Sequence, residues 1–211
     1  MTTLRSLGAV AEAVAELSAD AGGRVVVGIA GSPGAGKSTI AAGLVARLPG
    51  SVLLPMDGFH LPQSRLVELG RRDRMGAPDT FDLDAYVATL AALRPAFANS
   101  GVAVAAPGFD RATEEPVPAA VTVPPEFPIV VTEGNYLLLG DGGWERVAPL
   151  LDAVFFVTVD RDIRLSRLIA RHEEFGKSPA DAAAWATGPD ERNAVLVEAS
   201  APAATHTIAL G

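Results

Sequence analysis

The chain has 211 residues, 49% of them apolar, and a formal net charge of −8. That length fits one domain, 1–211, with a sizeable core, and so acidic a chain repels phosphate backbones, which argues against general nucleic-acid binding. The absence of cysteine excludes a disulfide framework and any thiolate zinc site.

Leu4, Leu7, Val10, Val14 and Leu17 recur at helical spacing with Glu12 and Glu16 off that face, so an amphipathic helix over residues 4–17 is expected, ending near Gly22 and Gly23. Arg5, Glu12 and Glu16 also interrupt any signal-peptide core, and no uncharged apolar run approaches the ~18 residues of a membrane span. The expectation is a cytoplasmic protein without a membrane partner. Residues 24–29 form a short β-branched run that reads as a buried strand. Glycines follow at once, and residues 38–48 read as a helix stopped by Pro49 and Gly50.

Residues 52–56 are a second strand, followed by a polar, glycine- and proline-rich stretch at 57–80 and a helix over 84–97. Many prolines and short β-branched runs in 101–128 predict irregular structure or a hairpin. Residues 129–132 and 153–159 are further strands. Residues 162–174, 180–185 and 190–200 read as helices, and 206–210 as a last strand. Strands that are continuous apolar runs and alternate with helices predict an α/β fold with a parallel sheet covered on both faces.

Gly31-Ser32-Pro33-Gly34-Ala35-Gly36-Lys37-Ser38 matches GxxxxGK[ST] between a predicted strand and a predicted helix. Phosphate oxygens must lie against backbone N–H groups, so side chains there are absent or small. The helix start adds its own N–H groups and dipole. Lys37 supplies charge to the β and γ phosphates, Ser38 offers a hydroxyl to Mg²⁺, and Thr39 continues the contact.

Asp57 follows the second strand, where open α/β sheets place their ligands. It is a candidate to accept a hydroxyl proton and to organise Mg²⁺, against the alternative of a turn aspartate. Gly58 is expected to keep the backbone open beside it. Glu133 ends the third strand and is a candidate metal or γ-phosphate acid, against a simple cap. Asp110 is a weaker third acid, and Asp79 and Asp82 are expected to shape a turn and cap the next helix. Arg164, Arg167 and Arg171 share one helical face, as a lid over a triphosphate or as a solvated face paired to nearby acids. Arg111 and His60 are candidates for contact with a substrate. His172 and His206 are read as structural, and the three histidines are too dispersed for a metal cage.

At these residues the sequence resembles the superfamily of uridine kinase, phosphoribulokinase and bacterial type I pantothenate kinase, and within it the nucleoside/nucleotide kinase-like, or fructose-transport-system kinase-like, branch. The resemblance rests on the phosphate loop, Met56-Asp57-Gly58-Phe59-His60-Leu61, Gly76-Ala77-Pro78-Asp79-Thr80-Phe81-Asp82, Pro107-Gly108-Phe109-Asp110-Arg111, Glu133-Gly134-Asn135-Tyr136-Leu137-Leu138, and the six residues from Arg167 to His172. These motifs span nearly the whole chain.

It implies a P-loop kinase, three-layer α/β/α with a five-stranded parallel core and a lid. It implies ATP and Mg²⁺, with Asp57 as base and metal organiser, Glu133 at metal or substrate, and Arg167 and Arg171 in the lid. Asn135 and Tyr136 are implied at the acceptor, and Asn193 near the nucleotide base. Uridine kinase carries an Asp-Ser-Phe-Tyr type motif where this chain has Asp57-Gly58-Phe59-His60, and pantothenate kinase is longer.

The expected reaction is transfer of the γ-phosphate of MgATP to a hydroxyl of a small metabolite (sugar, nucleoside or pantothenate-like), with 57–80 and 102–118 lining the acceptor pocket. The rival is a non-catalytic or regulatory nucleotide-binding protein, against which the acids at 57 and 133 argue. A GTPase would need an Asn-Lys-x-Asp segment and a transporter ATPase an LSGGQ-like one, and neither is present. The oligomeric state, homodimer or otherwise, is not legible.

Overall fold

The computed structural model describes residues 2–94 and 101–210. In chain order it contains β1 (Thr2–Leu4), α1 (Leu7–Asp20), β2 (Val25–Gly31), α2 (Lys37–Val45), β3 (Ser51–Pro55), α3 (Gln63–Glu68), α4 (Leu83–Leu93), β4 (Val104–Asp110), β5 (Glu115–Val123), β6 (Ile129–Gly134), β7 (Ala153–Val157), α5 (Arg161–Glu174), α6 (Pro179–Thr187), α7 (Pro189–Ser200) and β8 (His206–Ile208). Six strands form one parallel sheet in the order β1-β8-β7-β2-β6-β3. The five-stranded core is thus extended at one edge by β1. β4 and β5 pair antiparallel as a separate hairpin, with a register shift between Ala106 and Gly108.

Every residue of β2, β6 and β7 is buried, which is why they read as unbroken apolar runs. Their side chains still alternate. Val26, Ala30, Val130, Val154 and Phe156 face one layer, with Tyr86, Leu90 and Leu93 of α4, Trp144, and Val197 of α7. Val25, Val27, Ile29, Val131 and Phe155 face the other, against Val10 and Val14 of α1 and Ile40, Ala41 and Leu44 of α2. A buried hydrogen-bond chain ties the layers: Tyr86 donates to Thr132 Oγ1 at 2.8 Å, and Thr132 to the Leu54 carbonyl at 2.7 Å.

Register decides where the site lies. Ile29 pairs with Glu133, Glu133 with Pro55, and Gly31 with Val157. The carboxyl ends of four strands therefore meet at one edge. The chain runs from β2 to β3 on one side and reaches β7 on the other, so the end of β2 is the crevice where α/β sheets bind ligands.

Several boundaries differ from the sequence expectations. Leu4 belongs to β1, and the opening helix begins at Leu7 because Ser6 caps it, its Oγ accepting from the Ala9 N–H at 3.1 Å. The helix expected over 84–97 is observed as Leu83–Leu93, and residues 95–97 lie outside the described residues. The open reading of 101–128 resolves as the hairpin. Gly58 is not open: a Cβ there would stand 2.2 Å from the Pro107 carbonyl oxygen, so its lack of a side chain lets the hairpin settle on the turn that carries Asp57. No helix among the described residues is long and apolar enough to cross a membrane.

Candidate active site

Between β2 and α2 the glycine loop wraps to the helix start, with Gly36 as N-cap at φ 94°. Gly34, at φ 80°, lies under α5: a Cβ would meet the Arg164 carbonyl oxygen and Leu168 Cγ, each at 2.8 Å. Its glycine identity is thus required by helix packing and by its dihedral as well as by any phosphate. The Lys37 side chain is buried, and its Nζ donates to the Ser32 carbonyl at 3.1 Å and to Asn135 Oδ1 at 2.7 Å. Burial pushes its pKa down to about 8, against the pull of Glu133 and Asp57.

Ser38 Oγ donates to Glu133 Oε1 at 3.0 Å, joining the start of α2 to the end of β6. Glu133 is 4% exposed. Burial, and next the charge of Asp57, raises its pKa, while Lys37 and the Ser38 hydroxyl pull the other way. Asp57 sits in the single turn Met56–Phe59 that follows β3. Arg111, from the end of the hairpin, donates to its Oδ2 at 3.1 Å. Burial opposes the Asp57 charge, but His60, Arg111, Lys37 and Arg171 together hold the carboxyl below its usual range.

His60 Nδ1 donates to the Asp57 carbonyl at 2.9 Å, which leaves Nε2 as an acceptor, and its ring packs between Phe81 and Phe109. Lys37, Ser38, Asp57, Glu133, Asn135 and Arg171 line one cavity of about 140 Å³. Two acids of different environment, one held ionised and one pushed toward its proton, thus face a buried lysine across a small space.

The expected residues do not all converge. Arg111 and His60 line the cavity. Arg171 does too, with its pKa lowered by burial and then by Arg111. Arg167 is exposed over the loop, its Nη1 3.6 Å from where a Gly36 Cβ would lie. Arg164 turns inward, 2% exposed and ion-paired to Glu191, so the three arginines do not act as one face. Ser32 directs its hydroxyl away, to Glu198 at 3.1 Å, and contributes its carbonyl to Lys37.

Tyr136 is a correction. It lies fully buried in the core, its hydroxyl donating to the Gly76 carbonyl, and it supports the 76–80 turn from behind instead of lining the cavity. Asn193 also donates to the Gly76 carbonyl, at 3.2 Å, and lines the same cavity as Asp57 and His60. Asp110 holds the hairpin turn by accepting from the Ala112 N–H at 2.9 Å. Asp82 caps α4, and Asp79 pairs with Arg71 and Arg74.

A whole wall was not foreseen. Residues of 57–80 and 102–118 line the cavity as expected, but α5 to α7 close it with His172, Lys177, Trp185 and Asp190, beside Asn193, which the sequence had singled out. His172, read as structural, places Nε2 2.7 Å from Asp190 Oδ2. The available signal was Gly176 after a charged helix, which marks a sharp return of the chain. His206 keeps its structural role, stacked on Phe155.

Among the described residues no group of three or more His, Asp or Glu could hold a metal ion. The oxygen set of Ser38, Glu133 and Asp57 suits Mg²⁺, which takes one or two carboxylates and leaves most of its shell to phosphates and water.

A parallel sheet with a glycine loop at its switch point, a buried loop lysine and two facing acids is the constitution of a P-loop kinase. The comparisons narrow the class. The sequence profile of the phosphoribulokinase/uridine kinase family matches residues 26–178, and the chain belongs to that family.

The chain is 38% identical over 133 residues to the ATP-dependent kinase-like protein notR' of Aspergillus versicolor, covering 61% of this chain and 77% of that one. It is 31% identical over 161 residues to a uridine kinase of Brevibacillus brevis, covering 74% and 71%. Of two further relatives it spans 66% and 62%. A crystal structure from Silicibacter sp. TM1040, provisionally assigned as a fructose transport system kinase, superposes with a TM-score of 0.85 at 35% identity, covering 97% of this chain and 99% of that one.

Proposed function

We propose that the protein transfers the γ-phosphoryl group of MgATP to a hydroxyl of a small metabolite. The observation that carries this reading is the convergence of Lys37, the Ser38–Glu133 hydrogen bond and Asp57 on one cavity at the end of β2. The phosphate chain lies along the loop N–H groups and the start of α2, with Lys37 at the β and γ phosphates. Ser38, Glu133 and Asp57 would hold Mg²⁺, which when bound would supply charge neutralisation on those phosphates.

Asp57, held ionised by its basic neighbours, takes the proton of the acceptor hydroxyl. The acceptor oxygen bonds to the γ-phosphorus as the bond to the β-bridging oxygen breaks, and ADP leaves. Arg171 and Lys37 stabilise the equatorial oxygens in transit, and Arg167 reaches the loop from the solvent side. His60 Nε2, Asn135 and Asn193 are positioned to hydrogen-bond the acceptor. Closure of α5 and α6 excludes water from the transfer.

The test is ADP release with a panel of hydroxylated metabolites. We expect acceptor-dependent turnover, with Asp57→Asn and Lys37→Met each lowering kcat by about 10²–10⁴-fold while both variants remain folded by circular dichroism. Wild-type kcat in Asp57→Asn would dismiss its role as base. ATP binding without turnover on any acceptor would favour a nucleotide sensor instead.

A further inference from the structure

The cavity's charges do not all cancel. Arg111 is matched by Asp57, Lys37 faces Glu133, His172 holds Asp190, and Glu114 is taken by Arg72. Besides Lys37, which bonds to the Ser32 carbonyl and Asn135, two cations on the wall have no carboxylate within ion-pair distance among the described residues: Arg171 and Lys177. The γ-phosphate accounts for Arg171. It does not account for Lys177.

Lys177 is held where it is by the end of α5. The Phe175 and Gly176 N–H groups donate to the carbonyls of Arg171 and Glu173, and Gly176 adopts φ 93°. The Lys177 N–H then folds back to the His172 carbonyl at 3.0 Å, a bond that closes the helix and turns the next side chain toward the cavity. Its Nζ stands 4.8 Å from the centre of the Trp185 ring, and Asn193 lines the same wall. Arg111, and not Lys177, pairs with Asp57, while Lys177 stands over Trp185 on the same cavity.

We propose that the acceptor carries, besides its reacting hydroxyl, an anionic group that Lys177 binds over the face of Trp185, while the hydroxyl lies at Asp57. The shared chemistry is a carboxylate or a phosphate ester on a polyhydroxylated skeleton. The ammonium is half-buried and pre-placed by the ring, so an anion meets it with little loss of side-chain freedom. A neutral acceptor would leave that charge uncompensated once the lid excludes water. This inference rests on the kinase reading above and narrows its acceptor.

The test uses two matched sets: glycerol, glycerate and glycerol 3-phosphate, and ribose, ribonate and ribose 5-phosphate. Binding is read without nucleotide from Trp185 fluorescence, taken as the difference between the wild-type chain and Trp185→Phe. We expect at least one anion to bind tenfold or more tightly than its neutral parent, and Lys177→Gln to erase that preference. Whether the carboxylate or the phosphate ester of a set succeeds separates the two sources.

In ADP release with the same anion, Lys177→Gln is expected to raise the acceptor KM about tenfold with kcat within about twofold, a split that mere destabilisation would not produce. Neutral parents binding as tightly as their anions, an anion preference that survives Lys177→Gln, or no quenching by any anion would each overturn the proposal. A separate MgATP titration reads the kinase assignment: failure to bind nucleotide would sink that assignment while leaving the fluorescence result on the anion site intact.

Discussion

Lys37 and Glu133 share one cavity, and each is moved off its ordinary pKa chiefly by burial, the lysine down and the glutamate up. Both must be charged to hold a metal-bound triphosphate. The pH profile of kcat/KM for MgATP, which reports the free protein, is therefore expected to be a bell. Its alkaline limb should fall near pH 8 as Lys37 loses its proton, and its acid limb should lie above the usual glutamate range.

Asp57 is held below its own range and should not set the acid limb. The sign for stability follows from linkage. Between about 8 and 10.5 the unfolded chain keeps the Lys37 proton and the folded chain has lost it, so the unfolded state binds more protons. Over that interval the stability of the wild type should improve relative to Lys37→Met, measured by denaturant unfolding at several pH values. A flat difference would mean that Lys37 is solvated.

At the scale of elements, the turn carrying Asp57 and the hairpin carrying Arg111 are held together where Gly58 meets Pro107. Gly58→Ala inserts a methyl group against a carbonyl, an overpacking that costs about 1–3 kcal/mol. Tm should fall by roughly 3–10 °C. The acceptor KM should rise as Arg111 leaves Asp57, with MgATP affinity kept, as calorimetry would show. Unchanged acceptor KM would mean that the hairpin moves independently of the turn.

The strands were legible because a buried parallel strand needs apolar residues on both faces, and residues 25–29 and 129–131 carry no polar side chain. β1 was not, since three residues cannot show a period and its identity comes only from pairing with β8. The loop lysine, Asp57 and Glu133 were legible because strand ends are local features. The wall bearing Lys177 and Trp185 was not, because it depends on how two helices fold back after Gly176, and no spacing records that.

For the molecule as a whole, α5 touches the phosphate loop at Gly34 through Arg164 and Leu168 while its last turn lines the cavity with Arg171 and His172, so on the proposed reading one helix would sense both nucleotide and acceptor. A non-hydrolysable ATP analogue should slow amide exchange across residues 161–187, beyond the loop itself, with the central strands exchanging only through global opening. Protection confined to 31–39 would uncouple the lid from the loop.

The sheet order has a further consequence, for how the chain comes off the ribosome. β2 is the central strand, yet both of its partners, β6 and β7, belong to the later part of the chain, and β1 waits for β8 near its far end. A growing chain thus carries a fully apolar strand with nothing beside it for most of its synthesis. Pairings this distant in sequence close slowly. The strand that carries the phosphate loop accordingly gains its neighbours only once translation of the domain is nearly over.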